Sequence, residues 1–281
     1  MNYRHIYHAG NFADVHKHVL LVALFDYLLL KPKPIFYLDT HAGRGLYDLH
    51  SAEATKGGEW RLGIGTMLKK QFEHSLLKRY LDCLRGIVGD DWPAIRTYPG
   101  SPLIARALLR ATDRAVFVEK NAREAEDLKA AVPRRRDLSI LCEDGYIALK
   151  AHTPPKENRG LVLIDPPYEE SHEFDLVTQS LISAWRRWPT GLYALWYPLT
   201  ASAAPQHMHQ VISQSGLRKV LIAEFALRPL DSPIGLNGSG MLIVNPPWRL
   251  DEQLHAAQTE LHAMLSPSGA GSTRVEWLVG E

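Results

Sequence analysis

The chain has 281 residues, 46% of them hydrophobic, enough to bury a sizeable core in one large α/β domain or one domain with an insertion. With 32 basic and 31 acidic residues the formal net charge is +1, so no global charge marks a nucleic-acid partner, and any basic surface must be local. The two cysteines, Cys83 and Cys142, have no paired spacing, which excludes a disulfide framework and a cysteine zinc site and fits a reducing cytoplasm.

The N-terminus is polar and histidine-rich, unlike a secretory signal. His5, His8, His16 and His18 match no zinc spacing and gain no cysteine to complete a shell, so no metal is expected. The apolar run 19–30 is too short to span a bilayer and carries Asp26; it reads as a buried helix, and no membrane association is expected.

From there, short apolar runs alternate with helical patterns. Strands are expected at 35–39, 114–119, 138–142, 160–165, 192–197, 219–225 and 240–245, with helices at 102–111, 121–131, 143–150, 173–188, 203–214 and 251–265. The runs are near-continuously apolar, as strands covered on both faces are. Alternation of this kind implies right-handed crossovers and a doubly wound, mostly parallel α/β sheet.

The interval from Asp39 to the second strand is about twice what a simple βαβ unit needs. The helix after the first strand begins only at Ser101-Pro102, a serine N-cap before a proline at the first helical position. Residues 46–98 therefore read as a helical insertion between the two parts, 1–45 and 99–281, of one domain. A helical pattern runs through 67–84 and carries Lys69, Lys70, Lys78 and Arg79.

Four features fall at the ends of the first four strands, where open α/β sheets bind ligands. Asp39-Thr-His-Ala-Gly-Arg-Gly45 holds two glycines that allow a sharp turn, with His41 inside it; Asp48 stands where a dinucleotide fingerprint needs a third glycine. Glu119 ends the second strand, placed to accept both ribose hydroxyls of a nucleoside ligand. Glu143-Asp144-Gly145 follows the third, with Asp144 either reaching an adenine amino group or capping the next helix. The fourth strand runs into Asp165-Pro166-Pro167-Tyr168. An adenine amino nitrogen is a poor nucleophile because its lone pair is delocalised into the ring. A carboxylate and a backbone carbonyl that accept its two hydrogens localise that lone pair. The prolines stiffen the turn and remove backbone donors, and the aromatic ring stacks on an exposed base. Asn245-Pro-Pro-Trp248 looks similar but follows the last strand, so it reads as a structural strand end. Trp185, Trp188 and Trp196 read as packing residues.

Together these motifs resemble a class I Rossmann-like methyltransferase. Tyr3-Arg-His, His8-Ala-Gly-Asn, Ala13-Asp-Val-His-Lys-His18, Pro99-Gly-Ser-Pro102 and Gly238-Ser-Gly-Met241 resemble more narrowly the RlmJ family of 23S rRNA adenine-N6 methyltransferases, across essentially the whole chain. The resemblance implies a seven-stranded, mostly parallel sheet with an antiparallel last strand, a small helical subdomain, S-adenosylmethionine as cofactor and large-subunit ribosomal RNA as substrate. It places cofactor contacts at Lys17, His18, Asp39, His41, Gly43, Ser101, Glu119, Asp144, Gly145 and Asp165. Asp165, with Pro166, Pro167 and Tyr168, forms the catalytic motif, and Tyr3, Arg4 and His5 contact RNA. The tail 1–12 reads as a lid, loose until RNA or cofactor binds.

The alternatives are a DNA adenine-N6 or small-molecule amine methyltransferase, a nicotinamide-dependent dehydrogenase, disfavoured by the missing glycine, and a non-catalytic RNA-binding protein. RNA phosphates are expected on Arg4, Lys56, Arg61, Lys69, Lys70 and Arg134–Arg136. A monomer without a stable protein partner is expected.

Overall fold

The computed structural model describes residues 4–170, 172–233 and 235–280. In chain order its elements are α1 (Phe12–Leu29), β1 (Phe36–Asp39), β2 (Leu46–Asp48), α2 (Ala52–Gly57), α3 (Ile64–Met67), α4 (Ser75–Val88), β3 (Thr97–Pro99), α5 (Ser101–Leu108), β4 (Arg114–Val118), α6 (Ala122–Ala131), β5 (Leu138–Leu141) and α7 (Gly145–His152). These are followed by β6 (Gly160–Ile164), α8 (Glu173–Arg187), β7 (Leu192–Leu199), α9 (Ala204–Gln214), β8 (Val220–Ala226), β9 (Gly238–Val244), α10 (Leu250–Leu265) and β10 (Ser272–Val279).

The main sheet has the order β10-β8-β9-β7-β6-β1-β4-β5. Strands β5, β4, β1, β6 and β7 are mutually parallel, while β9 runs antiparallel to both β7 and β8. This is the expected Rossmann-like architecture, with eight strands in place of seven. The additional strand is β10, antiparallel to β8 at the sheet edge. Its residues alternate between exposed and half-buried, and Trp277 is 42% exposed. It therefore carries no continuous apolar run of the kind that marks the strands inside the sheet.

Helices cover both faces, and two apolar clusters, one per face, form the core. Chain order reverses about β1, whose neighbours are β4 and β6, so the crevice of the fold opens at the carboxyl ends of these strands. Helix α1 lies across this region, packed on α4, α5, α10 and β9. It is capped by Asn11, whose side chain accepts from the amides of Ala13 and Asp14. Its first turns bury Asp14, His16, Lys17 and His18 as well as its apolar residues.

Residues 46–98 begin and end in a short antiparallel pair, β2 with β3. The expected helical run 67–84 is helical only from Ser75, in α4; α3 ends at Met67, and residues 68–74 break the run. The break has a physical cause: the Glu260 carboxylate, from α10, accepts the amides of Glu73 and His74, and the His74 ring then caps α4 through Leu76. Leu76, Leu77, Tyr80 and Leu84 of α4 enter the same apolar cluster as α1.

Residues 4–11 are not the loose lid expected. Ile6 and Ala9 are buried, Arg4 pairs with Glu53 at 3.0 Å, and His8 hydrogen-bonds Glu59 at 2.9 Å. Tyr3 lies outside the described residues.

Candidate active site

Asp165 sits where β6 ends, at the crevice. Its Oδ2 meets the Lys17 ammonium at 2.6 Å, and the same ammonium reaches Asp14 Oδ1 at 2.8 Å, so Lys17 bridges two carboxylates. Asp14 and Lys17 are one turn apart on α1, which stacks them on one face. The other Asp14 oxygen accepts from the Gly10 amide and lies 2.9 Å from His5 Nε2. Burial alone opposes the charge of Lys17, but the two carboxylates outweigh it and hold its pKa well above the ordinary value. Burial likewise opposes the charge of Asp14, yet His5 and Lys17 hold its carboxyl well below the usual range. The Asp165 side chain keeps 15% exposure toward the crevice.

Tyr168 turns out of the strand end with a left-handed φ of 51°. Its ring packs on Phe174, with centroids 4.5 Å apart, and edge-on to Trp196 at 5.8 Å, while its hydroxyl donates to the Trp196 carbonyl at 2.7 Å. Lys17 Nζ lies 6.0 Å from the Trp196 ring centroid. Tyr168, Trp196 and the Asp165–Lys17 pair thus lie together.

Beside it, the turn after β1 carries the nucleoside-type features. Gly43 and Gly45 take φ of 60° and 78°, a region that favours glycine. The Gly43 amide donates to Glu119 Oε2 at 2.9 Å, and the Asn121 amide donates to Glu119 Oε1 at 2.7 Å. Each carboxylate oxygen keeps a second acceptor site, so Glu119 can still take hydroxyl donors. Burial raises its pKa. Gly145 starts α7 so close to the β1 turn that a side chain there would lie 2.2 Å from the Thr40 carbonyl.

Asp39 is fully buried. The Tyr37 hydroxyl donates to its Oδ2 at 3.2 Å, while Oδ1 has no hydrogen-bond partner. Burial pushes its carboxyl up to about 7, with nearby Asp165 adding to the rise and Ser101, Lys17 and Tyr37 opposing it. This orphaned oxygen lies fully buried beneath the glycine turn, where a cationic donor group on a ligand would satisfy it. Together with Glu119, this set fits a nucleoside that carries an amino-acid moiety, as S-adenosylmethionine does. Ser101 is buried at the start of α5.

The two remaining histidines are neutral. Burial lowers His18 to about 3, and its Nδ1 lies 2.7 Å from the Tyr98 hydroxyl. His41 is pushed down to about 4 by burial, with its Nδ1 2.8 Å from Thr40 Oγ1. Asp144 is the N-cap of α7: Oδ1 accepts the amides of Tyr146 and Ile147, and Oδ2 pairs with Lys120 at 3.0 Å.

Of the residues singled out in the sequence, Lys17, Asp39, His41, Gly43, Glu119, Gly145, Asp165 and Tyr168 are brought to the crevice. His18 turns to Tyr98 on β3, and Arg4 is held by Glu53. Asn245 is at the opposite end of the strands, beside the start of β7, where its amide donates to the carbonyls of Pro189 and Gly191. Asp14 and Trp196 were missed. Asp14 had a signal, its i to i+3 spacing from Lys17; Trp196 had none beyond its place on a strand.

Comparison with known proteins follows the same lines. A family model described as "Ribosomal RNA large subunit methyltransferase D, RlmJ" matches residues 32–279. A protein of Haemophilus influenzae named "Ribosomal RNA large subunit methyltransferase J" is 39% identical over 281 residues, covering 100% of both chains. One of the same name from Escherichia coli is 37% identical over the same span, again 100% of both. A crystal structure of a Legionella pneumophila protein superposes with a TM-score of 0.88 at 34% identity, covering 96% of this chain and 98% of that one.

Proposed function

Because the chain belongs to the RlmJ family of ribosomal RNA large subunit methyltransferases, we propose that it transfers a methyl group from S-adenosylmethionine to the exocyclic N6 of one adenine in 23S ribosomal RNA. The observation that carries the adenine-amino reading is Asp165. It is a carboxylate at a strand end, in an Asp-Pro-Pro-Tyr turn, anchored by a buried ammonium and flanked by Tyr168 and Trp196.

The donor, when bound, supplies an electrophilic methyl group on a positively charged sulfur. Glu119 takes the ribose hydroxyls, and Asp39 takes the amino group through Oδ1. The target base leaves its stack to enter the crevice, against Tyr168. Asp165 and a backbone carbonyl of the turn accept the two amino hydrogens and localise the nitrogen lone pair toward the methyl carbon. Lys17 holds the Asp165 carboxylate in one orientation. As the N–C bond formed, the donor's S–C bond would break to leave the neutral thioether, and the nitrogen, then strongly acidic, would give one proton to Asp165 or water. Near-neutral net charge leaves RNA affinity to local cations. Lys56, Arg61, Lys69 and Lys70 are exposed on the insertion, whereas Arg134–Arg136 precede the edge strand β5, at the end of the parallel strands away from Asp165.

Labelled methyl transfer to rRNA, DNA and a small amine, followed by nucleoside analysis of the product, tests this reading. The expected product is N6-methyladenosine from rRNA alone. A methyl group on another atom or another substrate overturns it.

A further inference from the structure

The segment Gly238-Ser-Gly-Met241 has no part in the chemistry described so far, yet it starts β9 directly beside the end of β7. Ser239 is fully buried. A side chain at Gly240 would fall 2.2 Å from the Tyr197 ring, and one at Gly238 would fall 2.9 Å from Ala226, so the backbone on both sides of Ser239 is pinned. Its hydroxyl oxygen lies 2.9 Å from Trp196 Nε1 and 2.9 Å from His16 Nδ1. An indole N–H only donates, so the serine oxygen accepts it.

His16 is buried and neutral, lowered to about 3 by burial. Its ring stacks on Phe225 with centroids 5.5 Å apart. The Gln258 side-chain amide, from α10, lies 2.6 Å from its Nε2. His16 thus hydrogen-bonds Ser239 through one ring nitrogen and meets the Gln258 side chain with the other. A continuous buried chain therefore runs from Gln258 through His16 and Ser239 to the Trp196 indole. That indole faces Tyr168 and Lys17, the anchor of Asp165.

We propose that Ser239, held in place by His16 and Gln258, is a positioning residue that fixes the Trp196 indole as the side wall of the target-base pocket. This rests on the adenine-amino reading above. The half-buried indole is the end of this hydrogen-bonded chain that meets Tyr168 and Lys17. Its ring plane sets how the base lies against Tyr168 and so where the amino nitrogen falls relative to Asp165. A hydrogen-bonded indole has one orientation, whereas an unpaired buried N–H drives the ring to seek another partner.

The test is a double-mutant cycle in the full chain, Ser239→Ala and Trp196→Phe alone and together, with Ser239→Thr as the conservative variant. Each is read by kcat and KM on rRNA, by S-adenosylmethionine affinity from calorimetry, and by nucleoside analysis. For Ser239→Ala, kcat is expected to fall roughly 10- to 100-fold, the effect of a small misplacement of reacting groups, while cofactor affinity stays within about twofold. Ser239→Thr restores most of the rate. In the Trp196→Phe background, where no indole N–H remains, Ser239→Ala costs less than about twofold. Penalties that multiply in the double variant, or a Ser239→Ala enzyme with normal kcat, overturn the proposal. Should Ser239→Ala fail to fold, Gln258→Leu serves in the same cycle, with a several-fold loss of kcat that vanishes with Trp196→Phe; a loss that persists there also overturns the proposal. A wild-type product other than N6-methyladenosine sinks the adenine reading alone, since the rate coupling between Ser239 and Trp196 is read independently of the atom methylated.

Discussion

Cofactor affinity is expected to depend on pH through Asp39, and the structure sets both sign and size. The Asp39 carboxyl is raised by burial to about 7, and its Oδ1 awaits a donor. A cationic amino group binds the ionised form. At pH 5, two units below that pKa, about 1% of the carboxyl is ionised, so affinity should be roughly 100-fold weaker at pH 5 than at pH 8. The same shift acts on stability. The folded protein holds the Asp39 proton more tightly than the unfolded chain, whose value is near 3.8. The resulting stabilisation is full below about pH 4 and is lost as pH rises through about 7, a span worth up to about 4 kcal/mol. Asp39→Asn should therefore make the free protein more stable at pH 8 while weakening S-adenosylmethionine there by roughly 10- to 100-fold, the worth of a charged hydrogen bond. The assay is calorimetric titration with S-adenosylmethionine or S-adenosylhomocysteine at half-unit steps from pH 5 to 8, in both proteins. His41, already neutral in this range, contributes nothing to the slope. A wild-type Kd constant within twofold across the range would refute the reasoning. A slope that persists in Asp39→Asn would move the titrating group to Glu119.

Other perturbations separate the remaining parts. Asp165→Ala should lower kcat by roughly 10²- to 10⁴-fold, the span of positioned proton acceptors, with cofactor affinity little changed; near-normal turnover would remove Asp165 from the chemistry. Lys17→Met leaves the buried Asp14 carboxylate without its ammonium and should cost about 3–5 kcal/mol in chemical denaturation, besides turnover; unchanged stability would show that the bridge contributes nothing net. Glu119→Ala should weaken S-adenosylmethionine more than RNA, and equal loss of both would mean the ribose site has been misplaced. RNA binding should weaken steeply with salt, with a slope reduced by about one for each of Lys56, Arg61, Lys69 and Lys70 that is changed to alanine and had met a phosphate. Changing Arg134 and Arg136, at the end of the parallel strands away from Asp165, should leave that slope alone.

Much of this protein is written locally. The runs that become β1, β4, β6, β8 and β9 are mostly apolar on both faces because helices cover both, with Asp39, Glu224 and Ser239 as buried polar exceptions. Asp165-Pro-Pro-Tyr168, the glycine turn at Gly43 and the cap at Asp144 are equally local, since each depends on neighbours within a few positions. By contrast, β10 escapes such a reading because an edge strand with one exposed face lacks the apolar run. The break between α3 and α4 escapes it because Glu260, from α10, makes it. The same holds for the site. Lys17 meets Asp165 across 148 positions, and His16 meets Ser239 across 223. Neither pair has a spacing that a linear pattern could carry. Both exist because α1, though first in the chain, lies over the carboxyl ends of strands that come much later, and only the packed sheet decides which of its buried polar groups faces which strand end.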